Sequence, residues 1–189
     1  MEIVNYKPGK ESGVLRRIRS RSLDASPDVV SKVAAIIEGV RAGGDEALIH
    51  YTKEFDGVVI EPGEIRVAES DLESIAAGAD ANRMRAFAKS IHNVRRFHER
   101  QRESGWTIEP EEGRQTGLRI LPIAAAGLYV PGGKAAYPSS IIMNAAPAQV
   151  AGVLRIAVAT PPGTMERAPE VAAVLLELGI SEVYRVGGA

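Results

Sequence analysis

The sequence predicts an α/β fold in which a largely helical region precedes a short parallel sheet. Apolar residues recur three to four positions apart through much of residues 26–102, which is the spacing of helices that bury one face. From about residue 123, short apolar strands alternate with helices in the order of a βαβαβ unit, half of a doubly wound sheet. We therefore divide the chain into an N-terminal segment 1–25, a largely helical portion of a first α/β domain 26–122, and an incomplete parallel unit 123–189.

The composition excludes several classes of protein. The 189 residues are 45% hydrophobic and 25% charged, as in an ordinary globular protein. A formal net charge of −1 gives no reason to expect nucleic acid or an anionic membrane as a partner. The sequence has no cysteine, which excludes disulfides, thiol nucleophiles and cysteine zinc sites. Because no apolar run has the length of a signal peptide core or a membrane span, we expect a cytoplasmic protein.

The first helix is predicted from "SPDVVSKVAAIIEGVRAGG". Ser26 suits the N-cap and Pro27 the first helical position. Gly43 and Gly44 are expected to end this helix, and Asp45 to cap a shorter one that stops at "DGV". One apolar stripe joins Val29, Val30, Val33, Ile36, Ile37 and Val40.

The middle of the chain is predicted to contain a strand, two helices and a hairpin. "EIRVAESDLESI" indicates a brief strand and then a helix with a capping box between Ser70 and Glu73. A long helix follows over about 82–102, and His98 is the next position on its apolar seam of Met84, Phe87, Ile91 and Val94. "WTIEPEEGRQTGLRILPI" is typical of a β-hairpin.

Three strands and two helices are predicted after residue 123. The strands are "AAGLYV", "LRIAVAT" and the start of "EVYRVGGA". The first helix is expected to kink or break near Pro147, and the second to open at Pro169 and close at Gly179. A parallel sheet is normally covered on both faces. We therefore expect the chain to be a piece of a longer protein, to expose apolar surface and to associate.

The stretch "GLYVPGGKAAYPSS" is the first βα loop of this parallel unit. It lies at the carboxyl end of its strand, where open α/β sheets bind ligands. It matches neither the dinucleotide fingerprint nor the P-loop, since Gly132 and Gly133 are adjacent and Lys134 precedes Ala135. The glycines would let backbone approach a ligand, and Ser139 and Ser140 begin a helix whose free N–H groups suit an anion. A tight turn followed by capping serines is the alternative.

The three histidines give no sign of a metal centre. His98, on an apolar helix seam, is predicted to be a hydrogen-bonded core residue, since zinc needs three or four convergent ligands. His50 and His92 have no partner at metal-ligand spacing. The acidic run 109–113 and the basic cluster 16–22 are predicted to be solvated surface. We assign no catalytic residue and no metal ligand to this chain.

The segment "GLYVPGGKAAYPSSIIMNAAPAQVAGV" closely resembles the signature of the histidinol dehydrogenase family. The resemblance continues through "RAGGDEALIHYTKEFDGV", "VRRFHERQ", "TPPG" and "VGGA", and so covers nearly the whole chain. It implies a zinc-dependent homodimer that oxidises L-histidinol to L-histidine with NAD, through an aldehyde, in the last step of histidine biosynthesis. Family members exceed 400 residues, so the resemblance places this chain in their N-terminal portion, ending inside a Rossmann-like nucleotide-binding domain.

The resemblance also assigns roles to individual residues. The tyrosine of "GLYVPGG" contributes to NAD binding in the family and corresponds to Tyr129, and Pro131 and Gly132 would line the same loop. The next cofactor residue, a glutamine, follows "VGGA", and the family's zinc ligands and Glu-His pair lie further along. One departure is "PIAAAG" where the family usually has "PIERVG", which puts a local salt bridge in doubt.

Two other functions stay open. The first is a related dehydrogenase that oxidises another polar alcohol, because the substrate contacts are expected mostly beyond residue 189. The second is a dimerisation or binding module without catalysis, since a fold does not fix a function.

Overall fold

The computed structural model describes residues 27–132 and 137–188, together with Gly13. The chain divides into two compact units, Met1–Gly44 and Asp45–Ala189. Helix α1 spans Pro27–Asp56 and is interrupted at Gly44, whose φ of 55° and ψ of −135° are not helical. Glycine reaches such dihedrals without the steric cost of a side chain. The predicted break between two helices at these glycines is confirmed, whereas the predicted cap, Ser26, lies outside the described residues.

The first unit contributes residues 27–44 of α1 to the described structure. The helical period predicted there is confirmed. Its apolar stripe is only partly buried, because Ile36 and Val40 are half-buried while Val29, Val30, Val33 and Ile37 are exposed.

The second unit holds the predicted parallel sheet. Its strands β3, β4 and β5 pair in that order, in parallel, which confirms the βαβαβ prediction. A separate antiparallel hairpin, β1–β2, confirms the other predicted strand pair. In chain order the elements after α1 are a 3-10 turn Pro62–Glu64, α2 Glu69–Ala76, α3 Ala81–Glu99, β1 Trp106–Glu111, β2 Arg114–Leu118, β3 Ala125–Tyr129, α4 Pro138–Ala151, β4 Arg155–Thr160, α5 Thr164–Arg167, α6 Pro169–Glu177 and β5 Val183–Arg185.

The main core lies between one face of the parallel sheet and its helices. Leu128, Val158 and Val183 are register partners on the covered face, packed with buried residues of α4 and α6. Helices α2 and α3 pack outside α6 and α4. Tyr129 and Ala159 are partners on the opposite face, where Tyr129 is exposed. The sheet therefore has one covered face and one face that is at least partly open.

The predicted capping box between Ser70 and Glu73 is wrong. Helix α2 has Ala68 at its N-cap, so Ser70 already lies inside the first turn. Val67 N–H donates to the Val183 carbonyl at 2.9 Å, and the Leu72 N–H donates to the Ala68 carbonyl at 3.0 Å. The predicted brief strand is only an isolated bridge between Arg66 and Tyr184, and its last backbone contact lies three residues before Ser70. The helix begins immediately after it.

The long helix α3 confirms the predicted seam. Its N-cap is Asp80, whose carboxylate accepts a hydrogen bond from Arg83 N–H at 2.8 Å. Ile91 is buried, and Met84, Phe87 and Val94 are half-buried against the core. The Arg83 guanidinium also lies 2.9 Å from the buried carboxylate of Glu170, which joins α3 to the start of α6.

Helix α4 runs through Pro147 to Ala151, so the predicted break near Pro147 does not occur. The helix ends at Gly152, whose φ is 91°. Among the described residues, no helix has both the length and the apolar composition needed to cross a bilayer. The predicted domain limits at 25/26 and 122/123 stay predictions.

The second unit leaves many large apolar side chains exposed, as the sequence led us to expect. We expect the chain to associate in solution, because contiguous exposed apolar surface favours contact between molecules. Light scattering after size-exclusion chromatography, over a dilution series, checks this; a monodisperse monomer at all concentrations would contradict it. Exposed examples are Trp106, Ile108, Leu118, Ile120, Leu121, Ile123 and Leu154.

Candidate functional site

The candidate site is the carboxyl edge of the parallel sheet. Strands β3, β4 and β5 end at Tyr129, Thr160 and Arg185, and the segments that follow them start at the same edge because the strands are parallel. Open α/β sheets bind ligands outside the carboxyl ends of their strands. The predicted residues Tyr129, Pro131 and Gly132 therefore all belong to this edge.

Tyr129 is held by the sheet but remains accessible. It pairs with Ala159 in register, and the next residue, Val130, donates its N–H to the Ala159 carbonyl at 2.9 Å. Its side chain is 53% exposed, so Tyr129 is not a core residue. Partial burial, and then the nearby charge of Asp56, raise the pKa of the Tyr129 phenol. The hydroxyl therefore stays protonated at neutral pH and can donate a hydrogen bond.

At Gly132 the loop that follows β3 packs closely against the loop that follows β4. A Cβ at this position would overlap Thr164 Oγ1 and would lie 3.1 Å from Pro161 Cγ. Thr164 in turn donates its hydroxyl to the Pro161 carbonyl at 2.7 Å. A glycine is thus needed here for close approach of two loops, while Pro131 is exposed beside it.

The end of helix α1 contacts the segment that follows β5. A Cβ on Gly187 would lie 2.5 Å from Asp56 Oδ2, and one on Gly188 would lie 2.5 Å from Phe55 Cβ. The Gly188 N–H donates to Asp56 Oδ2 at 3.4 Å. Sequence reasoning missed this contact, because Asp56 and Gly188 are 132 positions apart. The motif "VGGA" was the available signal, since paired glycines often mark close approach.

Three exposed aromatic rings belong to the segments that border this edge. They are Phe55, Tyr129 and Tyr137, the last of which precedes helix α4. Aromatic faces of this kind can stack on the planar rings of a nucleotide. Of the two serines considered for an anion, Ser139 is exposed and Ser140 is half-buried in the first turn of α4. Gly133 and Lys134 lie outside the described residues, so the anion interpretation stays a prediction.

One buried and one half-buried polar side chain lie at the same edge. Thr160, the last residue of β4, is 0% exposed, and its hydroxyl has no hydrogen-bond partner among the described residues. Arg185, the last residue of β5, donates to the Glu64 carbonyl at 3.1 Å and lies 3.6 Å from Glu166. Arg185 is therefore engaged in contacts that fix β5 to the 3-10 turn.

A cluster of polar side chains lies at the opposite, amino end of the sheet. Arg155 makes a bidentate contact with Glu182, at 2.9 and 2.7 Å, and Tyr184 donates to the same carboxylate at 2.8 Å. The bond from Arg155, followed by that from Tyr184, lowers the pKa of Glu182 to about 2. This cluster joins β4 to β5 and has the geometry of a structural ion pair.

An open groove of ≈ 950 Å³ also lies toward the amino end of the sheet. It is bordered by the end of α3, residues 120–123 and the second half of α4. His98 lines it and shares a hydrogen bond of 2.6 Å with Gln101. The prediction that His98 is hydrogen-bonded is confirmed, whereas its predicted core position is wrong because the ring is only half-buried beside this groove.

The other two histidines are surface residues. His50 Nε2 lies 3.6 Å from Glu54 one helical turn later, a carboxylate partner that the sequence analysis did not identify. His92 is exposed on α3. Within residues 27–132 and 137–188, no three histidine, aspartate or glutamate side chains are grouped as metal ligands would be. The described residues therefore do not fit a zinc ion.

We expect this chain to lose zinc on dialysis, because tight zinc sites need three or four convergent ligands. Elemental analysis after dialysis at neutral pH checks this. One zinc per chain surviving that treatment would contradict the prediction.

A comparison with protein families supports the resemblance of the motifs. The model of the histidinol dehydrogenase family matches residues 19–189. Histidinol dehydrogenase from Caulobacter vibrioides is 46% identical over 162 residues, which are 86% of this chain and 37% of that relative. The enzyme of the same name from Bacillus subtilis is 41% identical over 180 residues, covering 94% of this chain and 42% of that relative.

A solved structure is also similar. The crystal structure of histidinol dehydrogenase from Elizabethkingia anophelis matches with a TM-score of 0.78 and 30% identity. The match covers 87% of this chain and 38% of that one. Across the eight curated relatives compared, this chain spans between 37% and 44% of their length.

Proposed function

This chain belongs to the histidinol dehydrogenase family, and we propose that the whole protein oxidises L-histidinol to L-histidine through the aldehyde. Each of the two steps passes a hydride to NAD and releases a proton, and water adds to the aldehyde between them. The proposal includes a homodimer in the cytoplasm, where NAD-linked biosynthesis takes place.

The role we propose for this chain is to hold NAD at the carboxyl edge of the sheet. The observation that carries it is the half-exposed Tyr129 at the end of β3, beside two loops packed together at Gly132. The phenol can donate to a ribose or phosphate oxygen, and its ring can pack on the cofactor. Pro131 and Gly132 would line the same contact, with exposed Phe55 as a further flat surface.

Zinc, which the family resemblance implies, would supply a Lewis acid that lowers the cost of removing the alcohol proton. The described residues do not fit it, so we assign no step of the reaction to a metal held by this chain. The proposed contribution of this chain is binding and orientation of the hydride acceptor.

Titration of this chain with NAD tests the proposal. With ¹³C placed at the tyrosine Cζ, the Tyr129 signal is expected to shift and saturate as NAD is added. The Cζ of Tyr184, which lies in the same sheet but bonds to Glu182, is the internal control and is expected not to respond. Equal responses at both positions would indicate nonspecific binding, and no response at Tyr129 would overturn the proposed role.

The two alternatives make different predictions. A dehydrogenase of another polar alcohol would bind NAD here as well, and only assays of the whole protein with histidinol and other alcohols separate the two. A module that serves only dimerisation would show no saturable response to NAD, and a binding module without catalysis would show no turnover when the whole protein is assayed.

A further inference from the structure

We propose that Asp56 is a positioning residue for the cofactor edge, holding Gly187 and Gly188 in the arrangement that receives NAD beside Tyr129. The inference rests on the proposed function, because it concerns the geometry of that same site.

The location of Asp56 is not explained by helix stability. It is the last residue of α1, and the C-terminus of a helix carries partial negative charge that disfavours an acidic side chain. Asp56 is also half-buried, which removes part of the water that would solvate its charge. A carboxylate at this position therefore needs a compensating contact.

The segment that follows β5 supplies that contact. The Gly188 N–H donates to Asp56 Oδ2, and both carboxylate oxygens lie against Gly187, at 2.5 and 2.6 Å from where a Cβ would be. The φ of Gly187 is not positive, so its backbone conformation is open to other residues. Gly187 is therefore required for space, and the carboxylate of Asp56 occupies that space.

Asp56 also acts on Tyr129. After burial, which is the larger cause, the charge of Asp56 raises the pKa of the Tyr129 phenol. Besides its contact with the segment after β5, Asp56 thus acts electrostatically on the last residue of β3.

A double-mutant cycle tests this coupling. The variants are Asp56→Ala, Gly187→Ala and the pair, with Asp56→Asn as the conservative change. Gly63→Ala is the matched control, since a Cβ there meets nothing within 4 Å. NAD dissociation constants, melting temperatures and the Tyr129 pKa, read from the ¹³Cζ shift, are measured on this chain.

We expect Asp56→Ala and Gly187→Ala each to weaken NAD binding about tenfold, with the pair no weaker than Asp56→Ala alone. In the double variant, the Cβ added at Gly187 occupies the space that the Asp56 carboxylate fills in the wild type. Asp56→Asn keeps an acceptor for Gly188 N–H and should bind NAD within about twofold of wild type. It should nevertheless lower the Tyr129 pKa, because the charge is gone. Gly63→Ala should change none of these quantities.

Three outcomes would overturn the inference about Asp56 and leave the proposed function standing. They are wild-type NAD affinity in Asp56→Ala, equal losses from Gly187→Ala in both backgrounds, or melting temperatures that fall while NAD affinity is unchanged. By contrast, if wild type does not respond to NAD but Asp56→Asn still lowers the Tyr129 pKa, the proposed function fails. Asp56 would then be a structural anchor and not a positioning residue for NAD.

Discussion

Tyr129→Ala in the whole protein is expected to raise the KM for NAD by about 5- to 150-fold. This corresponds to a loss on the order of 1–3 kcal/mol, the combined contribution of an aromatic contact and one hydrogen bond. The fold should be retained because the Tyr129 side chain is half-exposed and faces away from the covered core. Steady-state kinetics at saturating histidinol, with a melting curve and a zinc determination on each sample, measure the effect.

Tyr129→Phe separates the ring from its hydroxyl. It keeps the aromatic contact, so its KM for NAD should rise less, by an amount corresponding to about 0.5–1.5 kcal/mol. Tyr184→Phe is the matched control, since Tyr184 lies in the same sheet and bonds to Glu182 instead. A large fall in melting temperature for Tyr129→Ala, with an unaltered KM, would mean that Tyr129 stabilises the fold and does not bind NAD.

Local sequence signals predicted most elements of the fold. The break in α1 followed from Gly43 and Gly44, the hairpin from its alternating strands, and the three parallel strands from short apolar runs separated by helices. These signals depend on neighbours within a few residues, which is why they can be read without a structure.

Contacts between distant segments explain the errors. Ser70 has the right residue type and spacing for a cap, yet the contact of Val67 with Val183 starts helix α2 earlier. His98 lies on the predicted seam, but near the end of α3, where the ring borders an open groove. At Ser70, a tertiary contact favours the earlier helix start over the predicted one. At His98, no tertiary contact among the described residues fully covers the ring at the end of the helix, so it stays half-buried.

The candidate site was predicted in part. The position of Tyr129 at the end of a parallel strand followed from the strand pattern, and its role came from the resemblance to a family. Asp56 could not be assigned to the site, because only the folded chain brings the end of α1 to the loop after β5. The packing of Gly132 on Thr164 likewise joins two loops that are far apart in sequence.

Leu175→Ala is expected to lower the free energy of unfolding by about 2–5 kcal/mol, the largest effect on stability that we predict. Leu175 lies on α6 and is fully buried in the core between the sheet and helices α2 and α3. Truncation leaves a cavity there, and the surrounding helices are joined to one another by several contacts, so they can collapse into it only in part. A loss of this size is a large fraction of the 5–15 kcal/mol typical of a folded domain.

Leu154→Ala provides a control with the same chemical change, because Leu154 is 95% exposed between α4 and β4. It should alter the free energy of unfolding by no more than about 0.5 kcal/mol. Urea unfolding followed by far-UV circular dichroism, at concentrations low enough to avoid association, compares the two variants through their midpoints and slopes. Similar losses in both variants would mean that Leu154 is covered in solution by another surface. A negligible loss in Leu175→Ala would mean that the core between the sheet and its helices is not tightly packed.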